Sequence, residues 1–356
     1  MFSLGGGLRS WSAFVILVIV LPIIFYMYQW KDTSAHQILE VVHSTKEKSA
    51  NETVTTLLIW FWPFKTKFDL NSCASKYQIN GCHLTDDRNL YSIADGVLIH
   101  HRDIDDNMSN LPNLPRPSFQ KWIWMLFESP QNSKRIAGLD NLFNVTMSYR
   151  RDADITVREQ LQRKTKDTEE PTPVKSKKTN TVCWIVSNWN KNHARVKYYN
   201  KLKEHIEVET FGSGVNRVLS NAEYTQTIES CKFYLSFENT LESSDHTAID
   251  YMTEKLYSPL RWGTVPVVLG PPRESYERFI PRDAFIHVDD FNSPKELADY
   301  LRGVNETEYH QFFNWRKQFR VTGVNFAQEH ACRACQYIRE RKSYQVFTNL
   351  NKWYWG

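Results

Sequence analysis

The hydrophobic residues of this chain cluster in short runs that are separated by polar, turn-rich sequence. Seven of these runs are rich in β-branched and aromatic residues, which is typical of buried strands. They are TVTTLLIWFW from Thr53, GVLIHHR at 96–102, KWIWMLFESP at 121–130, TVCWIVSNW at 181–189, CKFYLSFEN at 231–239, TVPVVLG at 264–270 and AFIHV at 284–288.

Helical patterns follow several of these strands. HARVKYYNKLKEH at 193–205 and TEKLYSPLRWG at 253–263 both come after strand runs. The S-P-K-E sequence from Ser293 places an N-cap residue, a proline at the first helical position and an acidic third residue ahead of LADYL. Strands that alternate with helices predict open α/β sheets, whose ligand crevice lies at the carboxyl ends of the strands. Two such units predict a ligand site between them.

Changes in composition divide the chain into segments. The stretch 158–179 is almost entirely charged, polar or proline and cannot bury apolar surface by itself, so we expect a linker or exposed loop there. The remaining length suits an anchor and two domains of roughly 150 residues each. The predicted segments are a tail at 1–10, a membrane span at 11–30, a stem at 31–52, an α/β domain at 53–157, the linker at 158–179, a second α/β domain at 180–330 and a C-terminal segment at 331–356.

The predicted membrane span is the run WSAFVILVIVLPIIFYMYQW at 11–30. Its length matches the roughly 20 apolar residues that a helix needs to cross a bilayer, and Arg9 and Lys31 flank it. We expect an uncleaved signal anchor. A cleaved signal peptide is the alternative, although the run is long for one and no small-x-small cleavage site follows it.

Sequons and cysteines after this run are typical of a lumenal protein. Six cysteines suggest three disulfides, out of fifteen possible pairings, in an oxidising compartment. A structural zinc site is the alternative for the C-x-x-C pair Cys332 and Cys335, although the sequence offers no second pair to complete it. The N-x-S/T sequons are at Asn51, Asn107, Asn144 and Asn305.

The charge balance and the motifs that are missing exclude several classes of protein. A net charge of +4, from 44 Lys and Arg against 40 Asp and Glu, does not indicate a nucleic-acid binder. The sequence contains no G-x-G-x-x-G after a strand, no P-loop and no H-E-x-x-H. A dinucleotide oxidoreductase, a P-loop NTPase and a zinc protease therefore lose their main support.

Charged residues at strand ends and helix starts are candidates for catalysis. Glu128 ends an apolar strand and could act as a general base, whereas a solvated strand-end glutamate is the alternative. Arg195 lies in the first turn of a predicted helix, where it could bind an anion or form part of a basic helix face. Glu254 and Lys255 begin another helix and suit ribose hydroxyls and phosphate, or else a surface ion pair.

Longer motifs run through the chain in order. They include WPF, FDLNSC, GCHLTDDRNLY, LIHHRDI, FQKWIWMLFESP, YRRDADI, SNWN, HARVKYY, CKFYLSFEN, YMTEKLY, VPVVLGP, YERFIP, AFIHVDDFNSP, FNWR and HACRAC. Together they resemble vertebrate α1,3-fucosyltransferases, most closely the branch that makes the Lewis x structure. The likeness covers nearly everything from Thr53 to Gly356, and YMTEKLY with VPVVLGP is its most distinctive block.

The resemblance implies a GT-B-type fold of two Rossmann-like domains behind one N-terminal membrane helix. It implies inverting transfer of fucose from GDP-β-L-fucose to the 3-hydroxyl of N-acetylglucosamine in Galβ1,4GlcNAc glycans. The domain at 53–157 would bind the acceptor and the domain at 180–330 the donor. Glu128 falls on the family's base position, and Arg195 and Lys255 match cations that stabilise the departing diphosphate.

The resemblance also implies the remaining site residues and the disulfides. The implied donor site consists of Ser187, Asn188, Arg195, Tyr234, Asn239, Tyr251, Glu254 and Lys255, and the implied acceptor contacts are Phe64, Thr66 and Ser129. The family's disulfides would pair Cys73 with Cys332, Cys82 with Cys335 and Cys183 with Cys231, and the first two would tie the segment 331–356 to the acceptor-side domain.

The surroundings of the reaction follow from the same resemblance. No cofactor or metal is required, and a divalent cation is at most a stimulant. The expected partners are GDP-fucose, lactosamine-terminated glycoproteins and glycolipids, and the Golgi membrane, in which the chain would be a single-pass type II protein with its catalytic part in the lumen. No nucleic acid is expected, and a homodimer is left open.

Departures from the family pattern keep other interpretations open. The stretch 158–179 stands where relatives carry a Tyr-Gly-Phe segment that contacts the donor. Residues 240–249 make a spacer in the donor site longer than in relatives. Lys65-Thr66-Lys67 replaces the Gly-Gln-Thr that lies beside the acceptor in relatives. Ser258-Pro259 replaces Asn-Ala in a helix, where an early proline need not break it. The alternatives are a noncatalytic Golgi-lumenal relative that binds a GDP-sugar or a glycan, and a GDP-sugar transferase acting on peptide or core glycan.

Overall fold

The computed structural model describes residues 54–165, 178–239 and 249–356, and these ranges contain two five-stranded β-sheets. Both sheets belong to one compact unit, Thr55–Gly356. The predicted tail, membrane span and stem, the sequon at Asn51 and most of the spacer at 240–249 lie outside the described residues. Within the described ranges, no helix is both long enough and apolar enough to cross a membrane.

Each of the seven predicted strand runs coincides with a strand of the structure. The flanking polar residues of the runs fall outside the strands. The strands are β1 (Thr55–Ile59), β2 (Cys82–Thr85), β3 (Gly96–His100), β4 (Lys121–Leu126), β5 (Val145–Ser148), β6 (Gln160–Arg163), β7 (Asn180–Ile185), β8 (Glu209–Phe211), β9 (Cys231–Phe237), β10 (Val265–Leu269), β11 (Ile286–His287) and β12 (Phe319–Thr322).

The helices include those predicted after the strands. In the helix Pro294–Gly303, labelled α6, the predicted N-cap is present, since Ser293 Oγ accepts a hydrogen bond from the Glu296 N–H at 3.2 Å. The described helices are α1 (Ser72–Tyr77), α2 (Ala194–Leu202), α3 (Asn221–Ser230), α4 (Glu254–Trp262), α5 (Arg273–Glu277), α6 (Pro294–Gly303), α7 (Glu306–Gln311), α8 (Gln328–Glu340) and α9 (Leu350–Trp355).

The two large sheets are parallel and have the same strand order. The first runs β2-β1-β3-β4-β5 and the second β8-β7-β9-β10-β11, so each places its first strand between the second and the third. This is the doubly wound order in which a ligand crevice forms beyond the carboxyl ends of the strands. The predicted α/β class with parallel sheets is therefore confirmed.

Helices from the end of the chain cover the first sheet. Alternate strand residues face opposite sides, so Leu57 packs in the cluster with Ile338 of α8, while Leu58 packs in the cluster with Tyr354 of α9. On the second sheet, α2 and α6 pack on one face, whereas α4 and α5 belong to a separate cluster with Val268.

Three disulfides join the cysteine pairs that the resemblance implies. Cys73–Cys332 and Cys82–Cys335 connect the first sheet region to α8, and Cys183–Cys231 links β7 to the start of β9. Because Cys332 and Cys335 are both in disulfides, they do not form the zinc site that was the alternative.

The start of the predicted linker includes a mostly exposed strand. Gln160–Arg163 forms β6, which pairs antiparallel with β12, and Leu161 packs against the cluster around α4. Composition alone did not predict this strand within 158–179, because it does not reveal a pairing partner more than 150 residues away in the sequence. Residues 166–177 lie outside the described ranges.

Helix α4 contains the proline that departs from the family pattern. Pro259 has no N–H to donate to the carbonyl of Lys255, four residues earlier. The Ser236 hydroxyl donates to that carbonyl instead, at 2.7 Å. The helix therefore continues through Pro259 without a buried, unpaired carbonyl.

The predicted glycosylation sites differ in accessibility. Asn107 and Asn305 are exposed, as attachment of a glycan requires. Asn144 is fully buried: its side-chain amide donates to the Gln345 carbonyl at 2.6 Å and accepts from the Trp122 N–H at 2.8 Å. A glycan on Asn144 would displace the chain around Gln345, so that prediction conflicts with the folded arrangement.

Candidate active site

A cavity of about 370 Å³ opens between the carboxyl ends of β3 and β4 and the N-terminus of α4. Its wall combines three carboxylates and three cations with aromatic side chains. The lining residues are Phe64, His100, Arg102, Leu126, Phe127, Glu128, Tyr149, Val157, Arg158, Glu159, Tyr251, Met252, Thr253, Glu254, Lys255, Val324, Phe326 and His330. A concave site with a few placed polar groups on aromatic walls is suited to a small ligand.

Glu128 lies in this cavity, two residues beyond β4, and its two oxygens have different partners. Oε1 accepts hydrogen bonds from the Tyr251 hydroxyl at 2.6 Å and from the Ser129 N–H at 3.0 Å. Oε2 lies 3.5 Å from the Arg102 guanidinium. Burial, followed by the Glu128 charge, raises the pKa of the Tyr251 hydroxyl well above its ordinary value, so Tyr251 stays a donor. One oxygen of the carboxylate is thus fixed, and the other faces a cation.

Phe64 and Phe326 form an aromatic wall beside this carboxylate. Their ring centroids are 5.6 Å apart, and the Phe64 ring lies 5.3 Å from the Arg102 guanidinium. Phe64 is 54% exposed and has φ of +55°, a left-handed conformation that is uncommon for an aromatic residue. Backbone strain of this kind concentrates at ligand sites, and a half-exposed ring suits stacking on the face of a sugar.

Lys255 lies in the first turn of α4, also lines the cavity, and is held by acidic side chains. Its ammonium contacts Glu254 Oε1 at 2.9 Å and Thr253 Oγ1 at 3.0 Å, and it lies 3.6 Å from Glu238 Oε2. Burial disfavours its charge, but the carboxylates of Glu254 and Glu238 outweigh this and hold the pKa of Lys255 above its ordinary value. A permanent cation therefore stands at the helix N-terminus, where anions bind most readily.

Glu238 is the buried member of this group, with 1% of its side chain exposed. Its carboxylate accepts from the Thr253 N–H at 2.9 Å and from the Thr253 hydroxyl, which also caps α4. Burial raises the pKa of Glu238, while the charge on Lys255 opposes that rise. Glu238 thus joins the end of β9 to the first turn of α4 and fixes the position of Lys255.

Arg195 is placed near these groups but does not line the cavity. It is buried, and its guanidinium donates to the Asn188 carbonyl at 2.6 Å. Burial lowers the pKa of Arg195, while the charges of Glu238, Tyr251 and other acids of the site oppose this. Asn188 in turn donates to the Asn239 side chain at 3.2 Å. The predicted donor residues at the ends of β7 and β9 therefore form one connected group.

Several predicted residues lie away from the cavity. Tyr234 is buried beside the Cys183–Cys231 disulfide, and Ser187 is exposed beyond β7. Ser129 is fully buried with its hydroxyl on the Asn239 carbonyl, and Thr66 borders a neighbouring cavity instead. Strand packing orients Tyr234 into the protein, and a hydrogen bond does the same for Ser129. Sequence motifs do not reveal the orientation of a side chain.

The structure adds residues that the sequence analysis did not select. Glu238 follows a buried strand, as Glu128 does, so the same rule could have found it. Arg102, Arg158, Glu159, Phe326 and His330 offered no comparable local signal. Arg102 lies in a short 3-10 helix and His330 in α8, and long-range packing places all five side chains at the cavity.

Comparisons with known proteins agree over almost the whole described chain. The family model described as "Fucosyltransferase, N-terminal" matches residues 52–160, and the model "Glycosyltransferase family 10 (fucosyltransferase) C-term" matches residues 175–353. The Mus musculus and Homo sapiens proteins named 4-galactosyl-N-acetylglucosaminide 3-alpha-L-fucosyltransferase 9 are each 48% identical over 328 residues, which cover 91% of this chain and 88% of the relative.

Two further matches extend this comparison. The Pan troglodytes protein named 3-galactosyl-N-acetylglucosaminide 4-alpha-L-fucosyltransferase FUT3 is 40% identical over 317 residues, 87% of this chain and 83% of that protein. A crystal structure of an alpha1,3-fucosyltransferase matches with a TM-score of 0.50 at 15% identity, covering 83% of this chain and 92% of that one. The structural match shows a shared fold.

Proposed function

Since the chain belongs to glycosyltransferase family 10, the fucosyltransferases, we propose that it transfers L-fucose from GDP-β-L-fucose to the 3-hydroxyl of N-acetylglucosamine in Galβ1,4GlcNAc glycans. The product would be of the Lewis x type. The observation that carries this proposal is the high identity, over nearly the whole chain, to relatives named 3-alpha-L-fucosyltransferases. The cavity supports it, because a carboxylate, Glu128, and a lysine, Lys255, both line it.

Glu128 takes the proton of the acceptor in this proposal. The acceptor's 3-oxygen attacks the anomeric carbon of fucose, the bond from that carbon to the diphosphate oxygen breaks, and the configuration inverts. Oε1 of Glu128 is occupied by Tyr251 and Ser129, so Oε2 is the oxygen that accepts the proton. Tyr251 and Arg102 hold the carboxylate in place during the attack.

Lys255 and Arg195 stabilise the leaving group in the same step. The electron pair of the broken bond goes to GDP, whose diphosphate gains negative charge. Lys255 meets that charge as a fixed cation at a helix N-terminus, and buried Arg195 adds a second positive charge nearby. This account requires no metal ion, and a divalent cation is at most a stimulant.

The proposal includes the cellular setting. The two sheets of identical order support a GT-B-type fold with two Rossmann-like halves. The apolar run at 11–30 would anchor the chain in the Golgi membrane as a type II protein, with the sheets in the lumen. The three disulfides support a lumenal location, because disulfides form and persist in oxidising compartments.

A transfer assay on the full chain tests the proposal. The chain in detergent or membranes is incubated with GDP-fucose and N-acetyllactosamine, and the linkage of the product is determined by NMR. We expect fucose on the 3-oxygen of N-acetylglucosamine. Tight GDP-fucose binding without product would favour the noncatalytic alternative. Exclusive fucosylation of the 4-hydroxyl in Galβ1,3GlcNAc would contradict the proposed acceptor.

A further inference from the structure

Residues 157–159 form part of the cavity wall, although the sequence predicted that a linker begins there. The Val157 carbonyl accepts a hydrogen bond from His330 Nε2 at 3.0 Å. Arg158 donates to the Tyr149 carbonyl at 3.2 Å. The pairing of β6 with β12 begins directly afterwards. This short segment is therefore held on both sides and presents its side chains to the cavity in a fixed position.

The two oxygens of the Glu159 carboxylate have unequal surroundings. Oε1 accepts from the Arg261 guanidinium at 2.8 Å. Oε2 is buried and has no hydrogen-bond partner among the residues that the structure describes. Only 17% of the Glu159 side chain is exposed, and that side chain lines the cavity. A buried carboxylate oxygen without a partner is costly, so its presence in a side chain that lines the cavity points to a ligand that donates a hydrogen bond.

We infer that Glu159 is a specificity-determining residue for the donor, and that its Oε2 accepts a hydrogen bond from a hydroxyl group of the sugar being transferred. The inference rests on the proposed function, because it takes a sugar nucleotide as the ligand. A carboxylate accepts hydrogen bonds and does not donate them, so it selects hydroxyl groups. The same charge repels the diphosphate, so the diphosphate does not occupy this position.

The shared cavity indicates the transferred sugar as the source of that hydroxyl. Glu128 must lie within hydrogen-bond reach of the acceptor oxygen, which in turn lies roughly 3–3.5 Å from the anomeric carbon before reaction. The sugar therefore occupies the cavity that Glu128 and Glu159 both line. Arg261 compensates the charge of Glu159 from the protein side, so the carboxylate needs no further cation from the ligand.

Glu159→Gln tests the inference with little change in shape. The amide oxygen can keep the bond from Arg261, which places the NH₂ group at the position of Oε2 and converts an acceptor into a donor. We expect the KM for GDP-fucose to rise by about 10- to 100-fold, the range for a hydrogen bond to a charged group. The Kd for GDP, which lacks the sugar, should change by less than about 2-fold.

Glu277→Gln is the matched control, because Glu277 also pairs with an arginine, Arg273 at 3.3 Å, but does not line the cavity. It should leave both constants unchanged. GDP-fucose analogues in which fluorine replaces one sugar hydroxyl at a time identify the contact. The analogue lacking the bound hydroxyl should bind the unmodified enzyme more weakly but lose nothing further in Glu159→Gln.

The outcomes separate this inference from the proposed function. An unmodified chain that neither binds nor uses GDP-fucose would refute the proposed function itself. If the unmodified chain is active, equal weakening of GDP and GDP-fucose binding would place Glu159 on the nucleotide and overturn the inference. A lower unfolding temperature of Glu159→Gln with an unchanged KM for GDP-fucose would show that Glu159 only forms a structural ion pair with Arg261, and would overturn the inference. Glu159→Asp, which retains the charge but retracts it, provides the same comparison if the glutamine variant does not fold.

Discussion

The two five-stranded sheets have the same strand order but differ in the charged groups beyond their carboxyl ends. The first sheet presents Glu128, with a tyrosine hydroxyl and a backbone N–H on one oxygen and an arginine 3.5 Å from the other. The second sheet leads to Lys255, enclosed by Glu254 and the buried Glu238. In the proposed mechanism, the first sheet supplies the proton acceptor and the second supplies a stabiliser of negative charge. The side chains after each strand, and not the fold, decide this division.

The sheets also differ in how the chain closes around them. Two disulfides that span 259 and 253 residues connect the first sheet region to α8, and α9 packs on its other face. The second sheet is covered by helices from its own connections and carries a disulfide that spans only 48 residues. The first half therefore depends on the end of the chain, whereas the second is locally complete.

Removal of the disulfides should have the largest effect on stability, and it should show how far the first half depends on the end of the chain. Replacing the cysteines of both long-range disulfides by serine should destabilise the fold by about 8 kcal/mol, and removing Cys183–Cys231 by about 4 kcal/mol. Removing either long-range disulfide alone should cost only about 3 kcal/mol, because the other still closes nearly the same loop. Denaturant unfolding of the oxidised proteins measures these differences. Equal losses for one and for both long-range disulfides would contradict the account.

Lys255→Met should remove the charge that the second sheet contributes. Transfer should slow by about 100- to 1000-fold, as for loss of one group that stabilises developing negative charge. Single-turnover kinetics at saturating GDP-fucose measures the chemical step. Lys295→Met, in an exposed ion pair with Asp299, is the control and should keep full activity. A small effect on the chemical step would assign leaving-group stabilisation to Arg195 or to other groups.

Acid should destabilise the first half through two buried histidines. Burial lowers the pKa of His330 to about 3 and that of His101 to about 4. The unfolded chain takes up these protons near pH 6.5, so it binds more protons than the folded chain below that pH, and stability falls. Each histidine should cost about 2 kcal/mol between pH 6.5 and pH 5.

His330→Gln isolates one of these contributions. The free energy of unfolding is measured at pH 7 and at pH 5 for the variant and the unmodified chain. The variant should lose about 2 kcal/mol less between the two pH values. The same pH dependence in both proteins would show that His330 is not neutral in the folded state.

Local patterns were sufficient to predict the strands and the residues at their ends. Runs of apolar residues predict a strand, and a charged residue that ends such a run is expected at the sheet edge where ligands bind. Glu128 fits this rule and lines the cavity. The N-cap at Ser293 was equally local. Glu238 also follows an apolar strand directly, as expected of a residue at the sheet edge, although only its neighbour Asn239 was among the predicted site residues.

The other site residues and the burial of Asn144 depend on contacts between residues that are distant in the sequence. Glu159 enters the cavity because β6 pairs with β12 and because Arg261 and His330 fix the residues around it. Burial of Asn144 depends on Gln345, about 200 residues away. No composition or spacing rule encodes such partners, so the strand within 158–179 and the burial of Asn144 could not be predicted from the sequence.

The account rests on Glu128 as the base that takes the acceptor's proton, opposite the leaving group held by the second sheet. The most direct test is the transfer rate of Glu128→Gln with GDP-fucose and N-acetyllactosamine, measured together with the Kd for GDP-fucose and with Glu277→Gln as control. The account predicts an unchanged donor Kd and a rate at least about 100-fold lower. Full activity of Glu128→Gln would contradict it.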